Sequence, residues 1–107
     1  MKFHREKFAS ALHEAASKYL AGKQYGNSMI TVTSVDVSDD LSKANIKVTI
    51  YPESESSSVL KKLNRGKGIF AEYMKKNTRL SSIPLISFSI DEGEKYRQRI
   101  DDLSKEI

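Results

Sequence analysis

Few residues of this 107-residue chain have the type and spacing that catalysis requires. The two histidines, His4 and His13, fall on opposite faces of one predicted helix, so they cannot form the i,i+4 pair of a helical metal site. Asp39 and Asp40 are adjacent in a predicted turn, where carboxylates cap the backbone more readily than they act as general acid and base. No serine shows a nucleophile-elbow pattern. We therefore expect no enzyme, no metal and no cofactor.

The spacing that does suggest chemistry is Gly66-Lys67-Gly68. Two glycines inside a helical pattern cost about 1 kcal/mol each relative to Ala, and they permit a kink and close backbone approach. We expect a new helix to begin at about Gly68, where free N–H groups and the positive dipole end favour a phosphate. This is not a Walker loop, which needs four residues between its glycines. An ordinary helix–turn–helix junction explains the two glycines equally well.

Charge is concentrated around these glycines. Residues 56–80 hold seven Lys/Arg and one Asp/Glu, whereas the residues before them hold seven of each and the residues after them four and six. This distribution is typical of a polyanion binder, although a solubilising face on an exposed helix pair would look the same. The candidate phosphate contacts, beside the Gly66–Gly68 backbone, are Lys61, Lys62, Arg65, Lys67, Lys75, Lys76 and Arg79.

The first half of the chain predicts a helix and a hairpin. An apolar stripe with a 3.6-residue period predicts a helix over 4–20, which Gly22 ends. The β-branched run 29–37 predicts a strand, and strict alternation over 43–51 predicts a second. The short polar residues 38–42 between them favour a turn.

The second half predicts two short helices and a third strand. Apolar residues within 59–63 and 69–80 have helical spacing, and Ser81-Ser82 closes the second helix. Residues 84–90 alternate as a strand that Pro84 opens. The resulting α-β-β-α-α-β order predicts an α+β fold, a three-stranded sheet with three helices on one face. We assign residues 1–93 to this domain and 94–107 to a charged helix or flexible tail.

Length and composition set outer limits on the class of protein. One domain is expected for 107 residues, and the absence of Cys excludes disulfides and thiolate metal sites. No apolar run approaches the roughly 20 residues that span a bilayer, and the N-terminus has no signal-peptide pattern. We expect a cytoplasmic monomer without membrane contact.

Aromatic side chains divide into two groups. Tyr25 in a loop and Tyr51 at a strand end are candidates for stacking on unpaired bases. The others lie on apolar stripes and are expected in the core: Phe8, Tyr19, Phe70, Tyr73 and Phe88.

An ordered set of motifs runs along nearly the whole chain: Arg5, the strand 30–37, the turn Ser38-Asp39-Asp40-Leu41-Ser42, Lys43-Ala44, Leu63-Asn64, Pro84-Leu85-Ile86-Ser87-Phe88 with Asp91, and Arg99-Ile100-Asp101-Asp102-Leu103. This set resembles the ribosome-binding factor A family, which is similar to type II KH domains. The resemblance implies a non-catalytic assembly factor that binds the free 30S subunit and 16S rRNA. It implies a role late in maturation of 16S rRNA, including its 5′ end, that matters most in the cold and ends before translation.

The chain departs from the family pattern in three places. Gly66 stands where the family's Ala-x-Gly kink has alanine, which implies a looser kink. The loop Lys23-Gln24-Tyr25-Gly26 lacks the family's proline, and Ser81-Ser82 lacks an arginine. We therefore add Lys23 to the candidate RNA contacts, with Arg5 and Arg79. The alternatives are a general KH-type RNA-binding module, or a protein-interaction module whose basic face meets an acidic partner.

Overall fold

A computed structural model describes residues 2–23, 27–80 and 82–93 of the chain. The elements, in order, are α1 (Lys2–Ala21), β1 (Met29–Val37), β2 (Lys43–Tyr51), a 3-10 turn (Glu53–Glu55), α2 (Ser56–Arg65), α3 (Lys67–Asn77) and β3 (Leu85–Ile90). The predicted α-β-β-α-α-β order is confirmed. The predictions for Tyr25, for Ser81 and for the tail 94–107 fall outside the described residues.

The sheet has the order β1-β2-β3, with β2 in the centre. β1 pairs with β2 in the antiparallel sense, whereas β3 pairs with β2 in the parallel sense. A parallel pair needs a crossover connection, and α2 and α3 together provide it. The arrangement confirms the expected α+β, KH-like type II fold and places the junction of the two helices within the crossover.

The hairpin has the predicted strand bounds, because its sequence pattern is unusually regular. The alternating residues Ala44, Ile46, Val48 and Ile50 of β2 are all buried against the helices. β1 contains a bulge between Val32 and Ser34, which leaves Thr33 as an extra residue. The Thr33 hydroxyl donates to the Lys47 carbonyl at 3.2 Å and contacts the Asp91 carboxylate at 2.5 Å, so the bulge joins β1 to the end of β3.

The core lies between the sheet and the helices. Its helical members are Leu12, Ala15, Ala16 and Leu20 of α1, Val59 and Leu63 of α2, and Phe70 and Met74 of α3. Phe70 is fully buried, and its ring centroid lies 5.0 Å from that of Tyr19 and 5.6 Å from that of Phe88. The aromatic residues that were expected in the core do pack in it or against it.

The end of α3 and the start of α2 differ from the prediction. α3 ends at Asn77 rather than near residue 80, because Thr78 is extended and its N–H and hydroxyl both donate to the Met74 carbonyl, at 3.0 and 2.6 Å. At the start of α2, the Ser56 hydroxyl donates to the Glu53 carbonyl and does not cap the helix. In the described residues, no helix is both long enough and apolar enough to cross a membrane.

Candidate nucleic-acid interface

The junction between α2 and α3 is a single residue, Gly66. Its φ of −91° and ψ of 11° depart from helical geometry, and α3 begins at Lys67, one residue earlier than expected. The Gly66 N–H donates to the Lys62 carbonyl at 3.0 Å, and its carbonyl accepts from the Phe70 N–H at 3.1 Å. Backbone hydrogen bonds therefore continue from α2 through Gly66 into α3, and the kink is tight.

The Gly66 position does not require glycine. A Cβ built there would lie 3.5 Å from the Lys62 carbonyl oxygen, an ordinary van der Waals contact, and its φ is negative. The alanine of the family pattern would fit without movement of its neighbours. The looser kink expected from Gly66 is therefore not a consequence of this geometry.

Gly68 is a different case. It is exposed within the first turn of α3, and a Cβ built there would meet nothing within 4 Å. Glycine in a helix costs roughly 1 kcal/mol relative to Ala, and no neighbouring atom of the described chain explains its presence. Because Gly68 has no Cβ, its backbone is exposed. It lies beside the N–H groups of the first helical turn, which have no acceptor within the helix.

Several cations of the two helices that meet at Gly66 have no acidic partner in the described residues. Lys61, Lys62 and Arg65 of α2 and Lys67 and Lys76 of α3 are all exposed, and none forms an ion pair within the described residues. Lys75 is the exception, because its ammonium lies 3.5 Å from Glu72. Unpaired cations beside exposed N–H groups form a surface that attracts phosphate and is not neutralised by the protein itself.

Three other candidate contacts lie elsewhere. Arg79 follows the end of α3, in the loop before β3, so it does not continue the helical row as expected. The Arg5 guanidinium pairs with Asp39 in the β1–β2 turn. The Lys23 ammonium lies over the Tyr19 ring, 5.0 Å from its centroid. Arg5 and Lys23 therefore already have partners within the chain.

An open groove connects the kink to the sheet. It has a volume of about 500 Å³, and it is lined by Lys67 on one side and by the ends of the three strands on the other, including Lys43, Ala44 and Leu85. Leu85 is 66% exposed, although it is a large apolar residue. A single-stranded nucleic acid bound at the kink would thus pass beside a partly apolar surface.

The described residues offer little for acid–base or metal chemistry. They contain no group of three or more His, Cys, Asp or Glu that could hold a metal ion. Hydrogen bonds from the Ser42 and Ser38 hydroxyls and the Ser42 N–H hold the pKa of the Asp40 carboxyl at about 2, below its ordinary 3.8. This carboxylate stabilises the turn and is poorly suited to proton transfer near neutral pH.

Sequence comparison identifies the family to which this fold belongs. The profile of the family described as "Ribosome-binding factor A" matches residues 4–104. The chain is 37% identical over 105 residues to the ribosome-binding factor A of Geobacter metallireducens, which covers 95% of this chain and 89% of that protein. The chain belongs to the ribosome-binding factor A family. The protein of Geobacter sulfurreducens is 34% identical, over 95% of this chain and 89% of its own length.

Solved structures of ribosome-binding factor A show the same fold. The crystal structure from Thermus thermophilus superposes with a TM-score of 0.71 at 20% identity, covering 80% of this chain and 93% of that one. A homology model of the Thermus thermophilus protein, fitted into a cryo-electron microscopy map of its complex with the 30S subunit, superposes with a TM-score of 0.68 at 21% identity, covering 76% of this chain and 88% of that one.

One residue at the site has a role that the sequence did not indicate. In the sequence, Asn64 stands out only as part of the family pattern, yet its side-chain amide bonds to the backbone of Phe88 in β3. No local signal predicts this contact, because the two residues are 24 positions apart. A polar residue on the sheet-facing side of an amphipathic helix is the only hint that the sequence contains.

Proposed function

We propose that this chain is a non-catalytic ribosome assembly factor, which binds the free 30S subunit through its α2–α3 kink and assists late maturation of 16S rRNA, including the 5′ end. The observation that carries the proposal is the set of exposed cations without acidic partners on the two helices that meet beside the bare backbone of Gly68. Family membership supports it, as does the 30S complex into which the Thermus thermophilus relative has been fitted.

The kink would grip the sugar–phosphate backbone of a single strand. Arg65 and Lys67 flank the junction, while Lys61, Lys62 and Lys76 extend the positive surface along both helices. Contacts of this kind set the position and strength of binding and do not read base sequence. Recognition of the subunit would then depend on where its rRNA presents an accessible backbone of the right shape.

The wider biological setting follows from the family. Residues 1–93 would form the binding domain of a cytoplasmic monomer, and 94–107 a charged helix or flexible tail. The factor would act in the subunit before translation begins, and it would matter most during growth in the cold.

Gradient sedimentation of a cell extract tests this function. The tagged chain should sediment with free 30S subunits and be absent from 70S ribosomes, and RNase treatment should release it. Association that survives RNase would contradict RNA binding and favour an acidic protein partner. Equal binding to unrelated single-stranded RNA and to 30S precursors would reduce the function to a general RNA-binding module.

A further inference from the structure

Asn64 lies two residues before the kink and is joined to the sheet by its side chain. Its Nδ2 donates to the Phe88 carbonyl at 3.1 Å, and its Oδ1 accepts from the Phe88 N–H at 2.9 Å. Nδ2 also lies 3.3 Å from the Leu60 carbonyl, one turn back in α2. One amide therefore connects α2 to both backbone polar groups of a single residue in β3.

The position of Phe88 in the sheet explains why its backbone is available. The N–H groups of Leu85 and Asp91 donate to the Ser42 and Val48 carbonyls, so the odd-numbered residues of this segment face β2. Backbone groups alternate along a strand, so those of Phe88 point to the free edge of β3. The Asn64 amide bonds to the N–H and the carbonyl of Phe88 as a neighbouring strand would. It therefore satisfies the backbone polar groups of the β3 edge at this residue.

Phe88 also contacts the other side of the kink. Its ring packs against Phe70 of α3, with centroids 5.6 Å apart. The same strand residue thus holds α2 through its backbone and α3 through its side chain. Gly66 lies between Asn64 and Phe70, so both helices that meet there are tied to one fixed point of the sheet.

We propose that Asn64 is a positioning residue for RNA binding: its paired hydrogen bonds to Phe88 fix the kink against β3 and so aim Arg65, Lys67 and the Gly68 backbone at one phosphate path. This inference rests on the proposed function. A helix rises about 1.5 Å per residue, so Gly66 lies only about 3 Å along the axis from this anchor. Without the anchor, the cations remain present but no longer hold a common geometry.

The chain provides a matched control in Thr33. Its side chain also links two elements: the hydroxyl donates to the Lys47 carbonyl at 3.2 Å and contacts the Asp91 carboxylate, just after β3, at 2.5 Å. Thr33 lies at the β1 bulge and is not among the residues that line the groove with Lys67. Removing either side-chain link loosens the attachment of β3, but only Asn64→Ala frees the α2–α3 junction.

The test compares wild type, Asn64→Ala, Asn64→Asp and Thr33→Val for binding to purified 30S precursors. Urea unfolding of each variant establishes that it is folded under the binding conditions. Asn64→Ala should bind about tenfold more weakly, equivalent to about 1.4 kcal/mol, with Thr33→Val within about twofold of wild type. Asn64→Asp sets a carboxylate against the Phe88 carbonyl and adds a negative charge beside the phosphate path, so it should bind at least as weakly as Asn64→Ala.

Hydrogen exchange gives a second reading that simple destabilisation would not reproduce. Amides of residues 66–70 should exchange faster in Asn64→Ala than in Thr33→Val at matched global stability. Wild-type affinity in Asn64→Ala, or equal losses in Asn64→Ala and Thr33→Val, would overturn the positioning role alone. Failure of the wild-type chain to bind 30S precursors would overturn the proposed function and this inference with it.

Discussion

The α2–α3 kink and the β1–β2 turn are both tight connections rich in charged and small residues, yet they direct their polar groups in opposite ways. In the turn, Asp40 accepts from the Ser38 and Ser42 hydroxyls at 2.8 and 2.7 Å, and Asp39 pairs with Arg5. At the kink, Arg65 and Lys67 have no acidic partner among the described residues. The carboxylates of the turn are thus paired within the chain, whereas the two cations at the kink have no such partner in the part of the chain that the structure describes.

The same contrast extends along the hairpin. Lys47 lies 3.0 Å from Asp36, and the hydrogen bond and charge of Asp36 raise the pKa of the Lys47 ammonium. A cation that already has such a partner gains less from a phosphate, because the existing pair must first separate. The number of lysines therefore predicts RNA binding less well than the number of lysines that have no acidic partner.

Charge reversal at the kink is expected to have the largest effect on binding to 30S precursors. The double variant Arg65→Glu/Lys67→Glu is expected to bind 30S precursors at least about 100-fold more weakly, because two charge-assisted contacts are lost. The control Lys7→Glu/Lys18→Glu changes the net charge equally on exposed positions of α1 and should bind nearly as wild type. Filter binding with folded protein provides the measurement. Equal losses in both variants would mean that net charge, not the kink, determines affinity.

Salt dependence gives the number of phosphates contacted. If about five cations at the kink contact phosphate, log K should fall with log salt at a slope of about −3.5 for a single strand. The kink double variant should show a slope of about −2, since two contacts are gone. A slope that stays at its wild-type value in that variant would place the contacts elsewhere.

The two glycines should respond oppositely to alanine. Gly68→Ala should raise the free energy of unfolding by about 0.5–1 kcal/mol and weaken RNA binding about tenfold, because the new Cβ occupies the bare backbone patch. Gly66→Ala should also be stabilising, by about 0.4–1 kcal/mol, with RNA affinity unchanged. Urea unfolding and filter binding measure the two quantities. Unchanged affinity in Gly68→Ala would show that RNA does not approach this backbone.

The smallest effect is expected in the turn and concerns only stability. The pKa of Asp40 is about 2 in the folded chain against an ordinary 3.8, so its carboxylate stabilises the fold above about pH 3.8 and this contribution is lost as pH falls toward 2. Urea unfolding of wild type and Asp40→Ala should therefore show a difference that shrinks over this range. A difference that does not vary with pH would mean that the ionised form is not what the turn stabilises.

Local pattern predicted much of the fold. The β-branched run of β1 and the strict alternation of β2 gave both strand bounds, and the two glycines Gly66 and Gly68 located the kink. What local pattern could not supply depends on distant residues: the parallel pairing of β3, the partner of Arg5 and the Asn64–Phe88 bonds. Leu41 has a φ of 61°, a conformation that turn propensities assign to Gly or Asn, so the surrounding turn imposes it.

Crosslinking to purified 30S precursors, mapped on both the protein and the RNA, tests the central claim most directly. Crosslinks should concentrate on α2 and α3 between Lys61 and Lys76 and join them to backbone-accessible segments of 16S rRNA. Crosslinks concentrated on α1 or the β1–β2 turn, with α2 and α3 free, would contradict the assignment of the kink as the RNA-binding surface.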